Sequence, residues 1–423
     1  MRMTRRTWVR PAALVAAAGL VLAACGGGSD TDTDTGIEDL DEAAAEDEET
    51  APPSGDGDLL LLGWSASPAE NEALEGVLAD YPAANVDLTL SGDFEATLRA
   101  ALAAGDPPDV FYVDSSRFPD LVAEGVLAPT GANLTDAGDF IEALAATFTH
   151  DGQLVCPPKD FSVLALQYNV AMFEEAGLEP PTTWEELEAA AEALTTDDRA
   201  GLVVAPELAR LGVFIHQAGG SVLTDDDQSN ILDDASLEGL RFIERLFGEG
   251  WATTPADLDA GWSGEAFGQG RAAMAMEGNW IIGAMSNEFP DTEYATVPLP
   301  AGPAGQSSYA FTVCYGVAAS GPNVEQATAL VDYLTARDQL LAFTLDFPVI
   351  PSRNSASEGW ANANPDAAPY VDSAEFAVGW QFPTGFQPAL DDINDTLQGL
   401  ADGSLTADSA AQRIDDAIAD VLG

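Results

Sequence analysis

The chain has 423 residues, with 71 acidic against 15 basic side chains and a formal charge of −56. A net field of that sign repels nucleic acid and anionic lipid headgroups, which sets aside partners bound through phosphate. The length exceeds what one ordinary core holds and suits two lobes.

Arg2, Arg5, Arg6 and Arg10 open the chain, and an apolar run follows at 12–22. That run is shorter than the roughly 20 residues a membrane helix needs, so residues 1–24 read as a signal peptide. Leu22-Ala23-Ala24-Cys25 resembles a bacterial lipobox, in which the cysteine takes a diacylglycerol and becomes the new N-terminus. The reading is an exported lipoprotein, anchored through Cys25 at the extracellular face of the cell membrane; several acyl chains give stable anchorage where one would not. Ordinary secretion with a free Cys25 is the alternative. Arg5-Arg6 followed by Trp8 and Val9 resembles a twin-arginine export motif, with general secretion as the default.

Residues 25–58 form a disordered acidic tether: 26–58 holds thirteen acids, no base and no aromatic, too little apolar surface to offset the entropy of ordering. From residue 59 onward, eleven bases face 58 acids, a net charge of −47. These acids are spread over the predicted surface helices rather than gathered in one motif. They read as adaptation to concentrated salt, where the Debye length shrinks to about 3 Å at 1 M.

Order begins with the apolar run Leu59-Leu60-Leu61-Leu62. Ser67, Pro68 and Glu70 spell a helix start with a capping box, and Leu74, Val77, Leu78 and Tyr81 recur at helical spacing. Val86, Leu88 and Leu90 alternate as in a half-buried strand, a helix follows over 93–104, and Val110-Phe111-Tyr112-Val113 is a strand. This rhythm predicts a parallel α/β sheet. Further on, 161–170 reads as a strand, and Thr183 with Glu186 caps a helix whose Trp184 belongs to the core. Helices are expected at 237–248 and 264–274, and strands at 294–299 and 311–318. Asn323 and Gln326 cap a further helix, and two more patterns follow, around Leu390–Leu400 and Ile414–Val421.

Cys156 and Cys314 remain as a pair in an oxidising compartment, either bridged or as two buried thiols. His150 and His216 are the only histidines and no Cys-x-x-Cys spacing occurs, so no metal and no cofactor is expected. Neither a Gly-x-Ser-x-Gly elbow nor a phosphate-binding loop is present, and with 71 acids any carboxylate pair arises by chance.

Ala104-Gly105-Asp106-Pro107-Pro108-Asp109-Val110, Leu166-Gln167-Tyr168-Asn169, Pro181-Thr182-Thr183-Trp184-Glu185-Glu186-Leu187 and Phe267-x-x-Gly270-Arg271-Ala272-Ala273-Met274-Ala275-Met276-Glu277-Gly278-Asn279-Trp280 stand in this order behind the lipobox. Together they resemble the bacterial extracellular solute-binding proteins of carbohydrate ABC importers, the maltose-binding type. The resemblance spans 59–423. It implies a two-lobed α/β periplasmic-binding-protein fold with an interlobe ligand cleft and crossing hinge strands. Lobe 1 would comprise 59–160 plus 295–345, and lobe 2 would comprise 161–294 plus 346–423. The crossings would lie near 156–163, 294–298 and 343–351, which sets Cys156 and Cys314 together in the first lobe beside the hinge.

The same resemblance implies a monomeric, non-enzymatic receptor that delivers a carbohydrate to ABC permease subunits. A sugar wants aromatic platforms for its C–H faces and polar groups for its hydroxyls, placed beyond the carboxyl ends of strands. The candidates are Trp64, Ser65, Asp114, Ser115, Asp160, Phe161, Glu277, Asn279, Trp280, Tyr309, Arg353 and Trp380. Duller roles stand beside them: Asp114 as a helix cap, Asp160 as a partner of Lys159 or Arg353, Glu277 as the partner of a surface arginine. A polyamine or other cation receptor of the same fold is the second reading, motivated by the acidity. A surface glycoside hydrolase is the third.

Overall fold

The structure, a computed structural model, describes residues 58–64, 68–224 and 226–423. The leader, the tether, Cys25, Ser65 and the Ser67 cap lie outside the described residues.

The strands are β1 (Leu59–Trp64), β2 (Val86–Ser91), β3 (Val110–Asp114), β4 (Thr149–His150), β5 (Gln153–Leu154), β6 (Pro158–Asn169), β7 (Ala200–Val203), β8 (Ala252–Thr253), β9 (Ala272–Gly278), β10 (Tyr294–Val297), β11 (Ser308–Val317), β12 (Ile350–Pro351) and β13 (Ala377–Gly379). Apart from the β4–β5 hairpin they form one continuous curled sheet, ordered β2-β1-β3-β11-β6-β9-β7-β8. β1 runs parallel to β2 and β3, as the sequence rhythm predicts, whereas β11 runs antiparallel to β3 and β6.

β6 joins the two halves of this sheet. Its residues Asp160–Val163 pair with β11, and Leu164–Tyr168 pair with β9. It is buried along most of its length, and its polar residues Lys159, Asp160, Ser162 and Gln167 are buried together with the apolar run Val163–Leu166. Successive side chains point to opposite faces: Leu164 and Leu166 enter one core, and Val163 and Ala165 enter another.

One core gathers β1, β3, the far half of β11 and the helices Pro68–Ala79, Phe94–Ala104 and Val324–Leu334. A second gathers β9 and the helices Trp184–Leu194, Leu208–Gln217, Asp234–Gly248, Gln387–Ala401 and Ala407–Leu422. Trp184 is buried there, stacked on Phe242 at 3.9 Å. Thr183 caps its helix by accepting from the Glu186 N–H (3.3 Å). The Glu186 carboxylate reaches past the cap to the N–H and hydroxyl of Thr182 (2.8 and 2.6 Å). Asn323 makes no side-chain cap; its amide donates to Asp109 instead (3.1 Å).

Two expectations need correction. The helix expected at 264–274 ends early: Ser263–Gly268 is helical, Gly270 turns the chain at φ +72°, and β9 follows. The segment Ala272–Gly278 is wholly buried between β6 and β7, a position that only an extended strand can occupy. The second crossing falls later than 294–298. β10 pairs with the β9-flanked half of β6, and the Trp184 and Ala304 N–H groups donate to Ala301 and Gln217 carbonyls on that side. The change of core comes within β11, where Tyr309 belongs to the second core and Val313 to the first.

Cys156 and Cys314 are joined in a disulfide, fully buried in the first core with a Cα–Cα distance of 5.6 Å.

Candidate functional site

β1 and β3 end side by side at Trp64 and Asp114, at their carboxyl ends, where ligands of such sheets bind. Trp64 is partly buried and packs edge-on against Tyr112 (4.9 Å) and Phe94 (5.4 Å). Asp114 accepts from the N–H and hydroxyl of Ser116 (2.9 and 2.5 Å). Burial raises its pKa, against the pull of those two hydrogen bonds. The next residue, Ser115, is buried and donates to the Trp380 carbonyl (2.6 Å).

Trp380 belongs to a segment that leaves β13 and docks on the helix Phe118–Ala123 and on Thr147. Besides the Ser115 bond, the Gly385 N–H donates to Asp120 (2.5 Å) and the Gln381 amide donates to the Thr147 carbonyl (3.2 Å). The Trp380 ring sits edge-on to Tyr309 (5.1 Å) and Phe382 (4.9 Å) and tilted against Phe311 (5.6 Å). Phe311 in turn lies 5.8 Å from Trp280. The result is a run of aromatic rings along the edge of the second core that reaches the first at Trp280. Trp280 packs against both cores.

Trp280 is set by its neighbours. A Cβ at Gly278 would stand 2.2 Å from Cζ3 of the indole, so only glycine lets the rigid ring fold back there. The indole N–H donates to Glu277 Oε2 (3.1 Å), and the same oxygen accepts from Arg210 (3.0 Å). Arg210 lies over the faces of Trp280 (5.1 Å) and Phe311 (5.9 Å) and also pairs with Glu207 (3.1 Å). Burial alone would lower its pKa; Glu277 and Glu207 more than offset this and raise it.

The structure links Ser115, Trp280, Glu277, Tyr309 and Trp380 in one neighbourhood, while Asp114 lines a separate cavity with Phe94, Arg99 and Arg117, on the side where Trp64 packs on Phe94. Other candidates are engaged elsewhere. Arg353 is buried and donates to the carbonyls of Thr335, Asp136 (2.8 Å) and Thr135 (3.0 Å), over the Phe140 ring at 4.2 Å. It ties that loop to the helix Asn354–Ala363 and does not face the aromatic run. Asp160 is buried against Lys159, which also pairs with Glu70. Phe161 is held within the sheet between β11 and β12.

Asn279 is fully buried. It accepts from the Val163 N–H and donates to the Pro348 carbonyl, both at 3.1 Å, and so joins two of the crossings. Asn279→Ala is expected to lower stability by about 2–5 kcal/mol, because two buried backbone groups lose their partners; urea unfolding measures it.

Arg210, Glu207 and Phe311 escaped the sequence reading. Arg210 sits on an otherwise apolar helix and its main partner is 67 residues away. The available signal was a lone cation among Leu208, Leu211, Val213 and Phe214 in a region so poor in bases.

Tyr309 and Phe382 also line a cavity of about 660 Å³, together with Phe118, Thr147, His216 and Thr224. Among the described residues no cluster could hold a metal ion, and no helix is long and apolar enough to cross a membrane.

The sequence profile of the bacterial extracellular solute-binding proteins matches residues 85–371. The chain belongs to that family. A binding protein of Brucella abortus is 25% identical to this solute-binding protein, over 67% of this chain and 74% of its own length. The maltotriose-binding protein of Pyrococcus abyssi is 25% identical over 58% of this chain and 54% of its own length. An ABC substrate-binding protein from Listeria monocytogenes, solved with cycloalternan, superposes with a TM-score of 0.79 at 22% identity, covering 86% of this chain and 99% of that one. The solute-binding protein thus has the two-lobed fold of maltose-binding type.

Proposed function

We propose that this solute-binding protein captures a sugar or oligosaccharide between its lobes and delivers it, chemically unchanged, to an ABC importer. The observation that carries the reading is the aromatic run from Trp280 through Phe311 to Trp380, flanked by Glu277 and Arg210. Flat apolar faces with a few convergent polar groups match the chemistry of a sugar ring. The relatives that bind maltotriose and cycloalternan support the same ligand class.

The lobes in this reading are 59–160 with 313–349, and 164–309 with 350–423, divided where residues change core. Ligand contacts to both lobes favour a closed state by their differential affinity, and the permease reads that closed surface. The protein works as a monomer, exported and tethered to the membrane through Cys25.

The cation-receptor reading is the weaker one. The relatives whose ligands are named bind sugars, and the acids that motivated it are spread over the surface rather than gathered beside the aromatic run.

A thermal-shift screen of mono-, di- and oligosaccharides at two ionic strengths tests the proposal. A cognate sugar is expected to raise the melting temperature and change tryptophan fluorescence with little dependence on salt. Trp280→Ala is expected to weaken its binding by about 2 kcal/mol, roughly thirtyfold in Kd. Stabilisation by polyamines alone, erased by salt, would replace the sugar with a cation. Cys25→Ser is expected to move the protein from the membrane to the soluble fraction.

A further inference from the structure

The carboxylate of Glu277 is only 1% exposed, and its main chain is locked as firmly as its side chain. The Glu277 N–H donates to the Gln167 amide oxygen (3.0 Å), and the Gln167 amide nitrogen donates back to the Glu277 carbonyl (3.1 Å). Gln167 is itself fully buried and also donates to the Tyr370 hydroxyl (2.8 Å). Residue 277 therefore cannot drift along β9. Its Oε2 is a fixed point to which two groups from different elements attach: the indole of Trp280, one turn on, and the guanidinium of Arg210 from the helix Leu208–Gln217.

We propose that Glu277 is a positioning residue that fixes Trp280 and Arg210 as one flat surface and, by holding Arg210 neutralised, makes the cleft select neutral over acidic sugars. This rests on the reading that the cleft takes a sugar. A uronic acid or sugar phosphate would be drawn to an arginine whose N–H fork is free for bidentate pairing. Here one terminal nitrogen is held by Glu207 and the other by Glu277, while Nε is buried without a hydrogen-bond partner. Two carboxylates thus face one guanidinium. What remains for a guest is the stacked plane, which suits C–H faces and hydroxyls.

The test uses the full chain with Glu277→Gln, Glu277→Ala and Glu207→Gln. Glutamine keeps an acceptor for the indole but removes the charge, alanine removes both, and the Glu207 pair still holds Arg210 in each Glu277 variant. Thermal melts first establish folding. The near-ultraviolet circular dichroism of Trp280 in ligand-free protein, obtained by difference from Trp280→Phe, is expected to survive in Glu277→Gln and Glu207→Gln and to vanish in Glu277→Ala. Affinity for a neutral trisaccharide, maltotriose, is then compared with that for trigalacturonate. Glu277→Gln should shift the ratio at least tenfold toward the acidic sugar at low salt, and much less at high salt.

An unaltered Trp280 signal in Glu277→Ala overturns the positioning role. An unmoved affinity ratio in Glu277→Gln overturns the selectivity. Should the wild type bind neither sugar nor any member of the broader panel, selectivity falls together with the sugar reading, and the ligand-free spectra still decide the positioning role.

Discussion

Replacing Lys159 by methionine is expected to lower the unfolding free energy by about 3–5 kcal/mol. The ammonium is 2% exposed, pairs with Asp160 and with Glu70 (3.3 Å), and lies over the rings of Phe343 (4.4 Å) and Tyr112 (4.9 Å). Four elements meet there: the first turn of the helix Pro68–Ala79, β3, β6, and the helix Arg337–Asp346. Burial by itself pushes the Lys159 pKa down, but Asp160 and Glu70 beside it raise it above the ordinary lysine range. Because the folded pKa is raised, this contribution is complete at neutral pH and fades only in strong alkali.

Methionine fills the volume but removes the cation that two buried carboxylates face. Urea unfolding at pH 7 measures the loss. Lys159→Met combined with Glu70→Gln and Asp160→Asn should recover most of it, since the buried charges are gone. Equal stability of the single variant and the wild type would refute the account. The Tyr112 ring that faces Lys159 also supports Trp64, so the single variant is further expected to broaden the environment of that tryptophan.

The second large effect concerns the disulfide. Cys156 and Cys314 are 158 positions apart, and a cross-link closing so long a loop removes much of the unfolded chain's freedom. Reduction, or the double replacement Cys156→Ala with Cys314→Ala, is expected to lower stability by about 4–5 kcal/mol. The bridge joins the residue just before β6 to β11, at the point where the β11 register shifts between Val313 and Cys314. It lies within the first core, so sugar affinity below the unfolding transition should change little. An unchanged denaturation midpoint after full reduction would show that the bridge constrains nothing the core does not.

Local grammar was legible where a single residue decides an element. Gly105 ends its helix with φ +71°, Thr183 caps the helix Trp184–Leu194, and Pro68 opens the first. It failed at 264–274, where Phe267, Ala273 and Met274 suit a helix and a buried strand equally well. There the turn at Gly270 and the place between β6 and β7 decided the outcome. Which core a strand feeds is set by partners far along the chain, so the crossing inside β11 left no local trace.

The site divides the same way. The bend that sets the Trp280 ring was readable because Gly278 stands two residues before it. The surroundings of Arg353 and Asn279 were not, because a polar side chain near a cleft looks identical in sequence whether it meets a guest or a backbone carbonyl. Here both side chains are taken up by backbone groups, of Thr135, Asp136 and Thr335 for Arg353 and of Val163 and Pro348 for Asn279.

The segment that carries Trp380 has a consequence for engineering. Three of its four fastenings use its own backbone, at the Trp380 N–H and carbonyl and the Gly385 N–H, and the fourth uses the Gln381 amide. Pro383 and Thr384 contribute lining to the adjacent cavity, yet none of those moorings depends on their side chains. Those two positions therefore form a cassette in which a combinatorial library could retune guest preference while the scaffold stays tied down.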